Sequence, residues 1–246
     1  MKGIILAGGS GTRLHPLTLA VNKHLLPVYN KPVIYHAVQT LVNAGIDRIM
    51  IVTSPQSIDH FVRLIGSGKD FISKRTGTQI QVVYGIQNVP SGIAYGLHIA
   101  RDYIGDDSCA LHLGDNIFED DFSDIVKNFK SGATVFLKKV KDPERFGVAS
   151  VDKRGRVKKI TEKPKRPDSD LAVTGLYIYD NSVFAKLEGQ TLSDRGELEI
   201  TDVNNRYVKE GTLRALILKD AWFDIGTPDS LLAAAIHMHK KYGKKK

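Results

Sequence analysis

Apolar positions along the chain follow two alternating rhythms. KGIILA (2–7), RIMIVT (48–53), IQVVYG (80–85), CALHLG (109–114) and ATVFLKKV (133–140) are short, nearly continuous apolar runs that predict strands. Between them, PVIYHAVQTLVNAG (32–45) and GIAYGLHIARDYIG (92–105) carry apolar residues three and four apart, the spacing of a helix with one buried face. The first has a proline just inside its start and a glycine just past its end, as helices prefer. Strands interleaved with helices predict an α/β protein with a mainly parallel sheet flanked by helices on both faces. The second half is more mixed: strands at GVASVD (147–152), VKKITEKP (157–164) and AVTGLYIYD (172–180), a helix at 197–211, a strand at 214–219 and a last helix from Pro228. KPKRPDSD (163–170) is polar and proline-rich but too short to separate domains, so residues 1–246 read as one domain.

Composition narrows the class without naming a function. A chain of 246 residues with 42% hydrophobic and 25% charged residues can bury a sizeable core without disulfides. The formal charge of +8 invites a nucleic-acid reading, but five of those charges are lysines in the terminal HKKYGKKK, leaving three for the rest. That end (240–246) reads as a solvated basic tail, and neither nucleic acid nor membrane is expected as a partner. A single cysteine, Cys109, excludes an intramolecular disulfide, and the N-terminus lacks the pattern of a leader, so a cytoplasmic location is expected.

The candidate chemistry sits where strands end, the place where open α/β sheets bind ligands. GGSGTRL (8–14) follows the first strand: Gly8, Gly9 and Gly11 let backbone N–H groups approach an anion, and Arg13 stands behind them. The loop fails the dinucleotide fingerprint, because Leu14 occupies the third glycine position, and it fails the P-loop, because Gly-Thr-Arg stands where Gly-Lys-Ser/Thr belongs. Lys23 in NKHLLPV adds a second cation suited to a polyphosphate. Asp115, in GDN, ends the strand CALHL, and Asp224, in WFDIGTP, precedes the last helix. Each alone fits a turn; together, two separated carboxylates suit Mg²⁺, which takes oxygen ligands and bridges to substrate phosphates. His237 and His239, two apart on a helix, share no face, and His112 reads as a packed strand residue.

With these pieces in order, GGSGTRLHPLT, NKHLLPV, LGDNIF, KDPERFGVA, ITEKP, AVTGLYIYD, RGELEITDVN and FDIGT, the chain resembles the sugar-nucleotide pyrophosphorylases from Met1 to about Leu232. The resemblance implies a Rossmann-like nucleotidyltransferase fold, with a nucleotide-binding part at about 1–140 and a sugar-binding part at about 141–232. It implies that dTTP and glucose 1-phosphate, with Mg²⁺, give dTDP-glucose and pyrophosphate, UTP and other sugar 1-phosphates remaining alternatives. Leu6, Gly8, Gly9, Gly11, Thr12 and Arg13 would line the triphosphate, with Lys23 beside them; Gln87 and Gly92 would read the pyrimidine; Asp115 and Asp224 would hold the metal. Lys163 would hold the attacking phosphate and Arg195 would assist, a purely bracing role for Arg195 staying open; Gly147, Glu162, Val173 and Tyr177 would contact the sugar. By resemblance, the short stretch after Ser230 implies a form without further helices and with one nucleotide site per chain. A homo-oligomer is compatible with the sequence, as is a non-catalytic sensor on the same fold.

Overall fold

Ile4 and Ile5 are adjacent in sequence and fully buried, yet they belong to different cores. Successive side chains of a strand point to opposite faces, so a strand buried on both sides feeds two hydrophobic layers at once. The same split separates Ile51 from Val52, Ala110 from Leu111 and Leu176 from Tyr177. In the computed structural model, which describes residues 1–243, these strands form one nine-stranded sheet. Of the basic tail read at 240–246, residues 244–246 lie outside the described residues.

The first half alternates strand and helix: β1 (Lys2–Leu6), a small hairpin of β2 (Pro27–Val28) and β3 (Lys31–Pro32), α1 (Val33–Asn43), β4 (Arg48–Thr53), α2 (Ile58–Ile65), β5 (Gln81–Ile86), α3 (Ile93–Ile99), α4 (Arg101–Ile104), β6 (Cys109–Leu113), β7 (Asn116–Phe118), α5 (Ser123–Asn128) and β8 (Ala133–Lys139). The second half supplies β9 (Gly147–Val151), β10 (Val157–Glu162), β11 (Leu171–Tyr179), α6 (Val183–Leu187), α7 (Ile200–Glu210), β12 (Leu213–Ile217), β13 (Trp222–Asp224) and α8 (Pro228–Tyr242). The main path of the sheet is β10-β9-β11-β6-β1-β4-β5, with β8 on the other edge of β11 and β12 beyond it. β6, β1, β4 and β5 are parallel; β11 runs antiparallel to β6, β8 and β9, and β12 returns parallel to β8. The sheet is therefore mixed, its parallel part built from the strand–helix alternation of the first half.

One core lies beneath α3, α4, α6 and α7; the other lies beneath α1 and α2. A third, smaller cluster joins Ala234 and Met238 of α8 to Ile117 of β7 and Ile225 just past β13. That helix starts where its sequence says: Thr227 Oγ1 accepts from Ser230 N at 3.2 Å, Ser230 Oγ accepts from Thr227 N at 3.1 Å, and Pro228 opens the first turn. On it, His237 Nε2 stands 3.0 Å from Glu119, while His239 packs against Tyr29, so the two histidines do separate work. Among the described residues no helix is long and apolar enough to cross a membrane.

Two helix expectations need correction. The single helix expected over 92–105 divides at Ala100 (φ −84°, ψ 1°) into α3 and α4. The helix expected from residue 197 starts only at Ile200, because Leu198 is drawn into backbone pairing with the start of α3: its N–H donates to Ser91 O at 2.9 Å and its carbonyl accepts from Ala94 N at 3.3 Å.

β11 also changes neighbours along one edge. Ala172 faces Val148 of β9, whereas Leu176 onward faces β6, and the register against β8 shifts between Val173 and Tyr177. A bulge of this kind re-aims side chains and interrupts the ladder. Val173 and Tyr177, four residues apart and on one face of the strand, both line one cavity wall.

Candidate active site

The glycine loop leaves the sheet at the carboxyl end of β1. Ala7 N–H still bonds Val52 O at 2.7 Å, so the backbone departs only at Gly8. Asn22 ties the base of the loop: its Nδ2 donates to Ala7 O at 3.1 Å and to Ser57 Oγ at 3.2 Å. Its Oδ1 caps the turn Lys23–Leu25, accepting from His24 N at 3.0 Å and lying 2.7 Å from His24 Nδ1. Because a carbonyl oxygen only accepts, His24 carries its proton on Nδ1. Burial, then the charge of Lys23, lowers the His24 pKa to about 3, so the ring stays neutral. The capped turn aims Lys23 back under the loop, where a Cβ on Gly9 would stand 3.0 Å from Lys23 Cε.

Lys23 pairs with Asp115, and the two carboxylates meet across one amide. Asn116 Nδ2 lies 2.9 Å from Asp115 Oδ1 and 3.5 Å from Asp224 Oδ1. Antiparallel pairing of β13 with β7 places Asp224 opposite Asn116, which brings sequence-distant carboxylates together. Arg145 Nη2 reaches Asp224 Oδ2 at 3.8 Å, and Arg13 Nη2 and Asp224 Oδ2 both close over Gly226. Burial pushes the Asp115 carboxyl upward, but Lys23, His24 and hydrogen bonds from Lys23 and Asn116 outweigh it and hold that pKa well below the usual range. Asp224 is displaced the other way: desolvation and the charge of Asp115 raise it to about 6 against the pull of Lys23, Arg13 and Arg145. Two neighbouring carboxylates, one of them costly to ionise, are a donor set that a hard divalent cation satisfies. Among the described residues no group of three or more His, Cys, Asp or Glu gathers as a cation cage, so other ligands would be phosphate or water.

The opposite end of the cavity carries a carboxylate, Glu162, flanked by a hydroxyl and two cations. Glu162, at the end of β10, accepts from Thr201 Oγ1 at 2.6 Å and stands 3.5 Å from Arg195 Nη2. Gly147 lies beside it, with Val173 and Tyr177 of β11 behind. Lys163 follows directly, exposed, with φ 39° and its N–H bonded to Phe146 O at 3.0 Å. Arg195 is held by Glu199, with Nη2 at 2.9 Å from both carboxylate oxygens, and by Glu197 at 2.9 Å. The arginine thus braces the loop ahead of α7 while also lining the cavity.

Gln87 is buried at the third corner, and a Cβ on Gly8 would stand 3.1 Å from its Oε1. Among the described residues its side-chain amide makes no hydrogen bond to protein, and the N–H of Gly92 makes none either. Gly92 holds φ 96°, and a Cβ there would meet Leu198 O at 2.5 Å, so only glycine fits.

These groups line one cavity of about 320 Å³, bounded by Leu6, Gly8, Gly9, Arg13, Lys23 and Gln87 on one side and Gly147, Glu162, Lys163, Val173, Tyr177 and Arg195 on the other. Asp115 and Asp224 stand within the same wall, and Gly92 lines it as well. Gly11 and Thr12 fall beside the cavity rather than on it: Gly11 packs on Lys23 Cβ and Thr18, and Thr12, itself exposed, opens the turn Thr12–Leu14, whose Leu14 is buried. Sequence reasoning passed over Asn116, Arg145 and Thr201. All three lie in segments already singled out, Asn116 in LGDNIF, Arg145 in KDPERFGVA and Thr201 in RGELEITDVN, but no spacing within those segments marked them as site residues.

Residues 2–241 match the protein family described as Nucleotidyl transferase. A glucose-1-phosphate thymidylyltransferase of Neisseria meningitidis is 47% identical over 241 residues, covering 96% of this chain and 81% of that protein. One from Mycolicibacterium smegmatis is 45% identical over 240 residues, with the same coverage of 96% and 81%. A Bacillus anthracis crystal structure, described as a candidate glucose-1-phosphate thymidylyltransferase in complex with a sucrose, superposes with a TM-score of 0.89 at 44% identity, covering 100% of this chain and 98% of that one.

Proposed function

The chain belongs to the nucleotidyl transferase family, and from that premise we propose that it converts dTTP and glucose 1-phosphate to dTDP-glucose and pyrophosphate. The observation that carries this reading is one cavity joining a cationic glycine loop and an unpartnered glutamine to a hydroxyl-reading glutamate and a lysine. Two carboxylates stand between them. Relatives at 45–47% identity that bear the thymidylyltransferase name support the choice of substrates.

An oxygen of the sugar phosphate forms a bond to the α-phosphorus of dTTP as the bond from that phosphorus to the β-bridging oxygen breaks. Pyrophosphate leaves with the electron pair. The attacking phosphate is already ionised at neutral pH, so the site needs no general base; it must bring two anions together and align them. Arg13 and Lys23 receive the triphosphate, Lys163 holds the incoming phosphate, and Glu162 accepts sugar hydroxyls while Thr201 fixes its orientation. Gln87 offers a donor and an acceptor to the pyrimidine edge, and the free N–H of Gly92 a further donor. Asp115 and Asp224 would hold Mg²⁺, which supplies positive charge to the nucleotide phosphates when bound.

The test is a matrix of five nucleoside triphosphates against several sugar 1-phosphates, reading pyrophosphate release with and without Mg²⁺. The expected outcome is fastest turnover with dTTP and glucose 1-phosphate, slower turnover with UTP, and none after full chelation. Purine triphosphates outrunning the pyrimidines would overturn the assignment of Gln87.

A further inference from the structure

One neutral amide stands between the two carboxylates. Asn116 is 1% exposed, and its side chain makes four hydrogen bonds. Oδ1 accepts from Gly175 N at 3.0 Å and from Trp222 Nε1 at 2.7 Å; Nδ2 donates to Asp115 Oδ1 at 2.9 Å and to Asp224 Oδ1 at 3.5 Å. The first two bonds decide which way the amide faces. A backbone N–H and an indole N–H can only donate, so the oxygen must meet them and the NH₂ must meet the carboxylates. Reversed, the amide would set its oxygen against two anions and its nitrogen against two donors.

The anchors come from separate parts of the fold: Gly175 from the bulge in β11, Trp222 from β13, two residues before Asp224. Gly175 is shaped for the role, since a Cβ there would lie 2.6 Å from Asn116 Cγ and Oδ1. Two like charges left to themselves separate; a neutral double donor lets both carboxylates face one space before any cation arrives.

We infer that Asn116 is a positioning residue that fixes Asp115 and Asp224 relative to each other and thereby sets the affinity of the pair for a divalent cation. The inference rests on the metal reading under Proposed function. Without Asn116, part of the binding energy of a cation is consumed in reassembling its ligands, and affinity falls.

The experiment titrates Mn²⁺ alone into the full chain and follows the free-ion electron paramagnetic resonance signal, with thermal melts recorded in parallel. Asn116→Leu keeps the branched shape and removes the donors; Trp222→Phe leaves Asn116 in place but removes a bond that orients it. Wild type is expected to bind Mn²⁺, Asn116→Leu to bind it at least about tenfold more weakly, and Trp222→Phe several-fold more weakly. A purely structural role would lower the melting temperature and leave the Mn²⁺ dissociation constant unchanged in Asn116→Leu, which overturns the inference. Should Asn116→Leu not fold, Trp222→Phe decides, and an unchanged constant there overturns it equally. Wild type that binds no Mn²⁺ would instead remove the metal reading itself, and this inference with it.

Discussion

Lys163 turns its backbone to φ 39°, where a side chain other than glycine's seldom sits. Such a conformation costs on the order of 1–3 kcal/mol and persists only where its surroundings enforce it. Lys163→Gly should therefore be more stable than Lys163→Ala by roughly 1 kcal/mol in denaturant unfolding, while both raise the KM for glucose 1-phosphate about tenfold or more. Equal stabilities would remove the strain argument; an unchanged KM would remove Lys163 from the sugar phosphate. His112 tests a different balance. It is fully buried, with Nδ1 2.8 Å from Leu113 O, and burial lowers its pKa from 6.5 to about 4 against the opposing effects of that bond and of Asp115. Above pH 6.5 both states are neutral and nothing changes. Between 6.5 and 4 the unfolded chain takes a proton that the native chain refuses, so stability falls as pH falls, and below 4 the loss is complete. At about 1.4 kcal/mol per pKa unit, it amounts to about 2–3 kcal/mol by pH 4.5. His112→Gln should lose correspondingly less stability between pH 7 and 4.5 in urea titrations than wild type does. His112 was legible in the sequence as a packed strand residue, whereas Asn116 and Thr201 were not. Their importance lies in partners 59 and 39 positions away, and no local spacing encodes such distances.

At the level of elements, α7 does more than cover the sheet. Its first turn carries Thr201, whose hydroxyl donates to Glu162 at 2.6 Å, and Asn205 clamps Ile160 of β10 through both backbone groups, at 2.9 and 2.8 Å. The helix thus positions the end of β10 that carries Glu162. Thr201→Val keeps the shape and removes the donor. It should raise the KM for glucose 1-phosphate by about tenfold, since a hydrogen bond to a charged group contributes about 1.5–3 kcal/mol, and leave the KM for dTTP unchanged. Steady-state kinetics with each substrate varied in turn gives the check; a matching rise for dTTP would place Thr201 in general stability instead. Strands were the most legible elements, because apolar runs of five to seven residues buried on both faces leave few alternatives: Arg48–Thr53 forms as read, and Lys2–Leu6 and Cys109–Leu113 each stop one residue short. α2, α5, α6 and the β7–β13 ribbon escaped the reading. They run to eight residues or fewer, and tertiary packing rather than periodicity stabilises pieces that short.

Across the whole molecule, strand–helix alternation disclosed the parallel half, and the sites after β1 and β6 followed from it. The antiparallel half was less legible, because β11 pairs with three strands and a run of nine buried residues says nothing about which. The resemblance of ordered motifs supplied the candidate site there, and the fold explains how residues 115, 162 and 224 come to share one cavity. Where β11 changes neighbours, the Gly175 amide leaves the ladder and bonds Asn116 Oδ1 instead. That gives the protein a built-in spectroscopic reporter: one backbone proton, inside the sheet, is wired to the side chain between the two acids. In a ¹⁵N-labelled sample, Mg²⁺ should shift the Gly175 amide resonance, while Ile178 and Tyr179, two strand residues further along, stay put. A Gly175 resonance indifferent to Mg²⁺ would mean that the amide between the acids does not feel the ion.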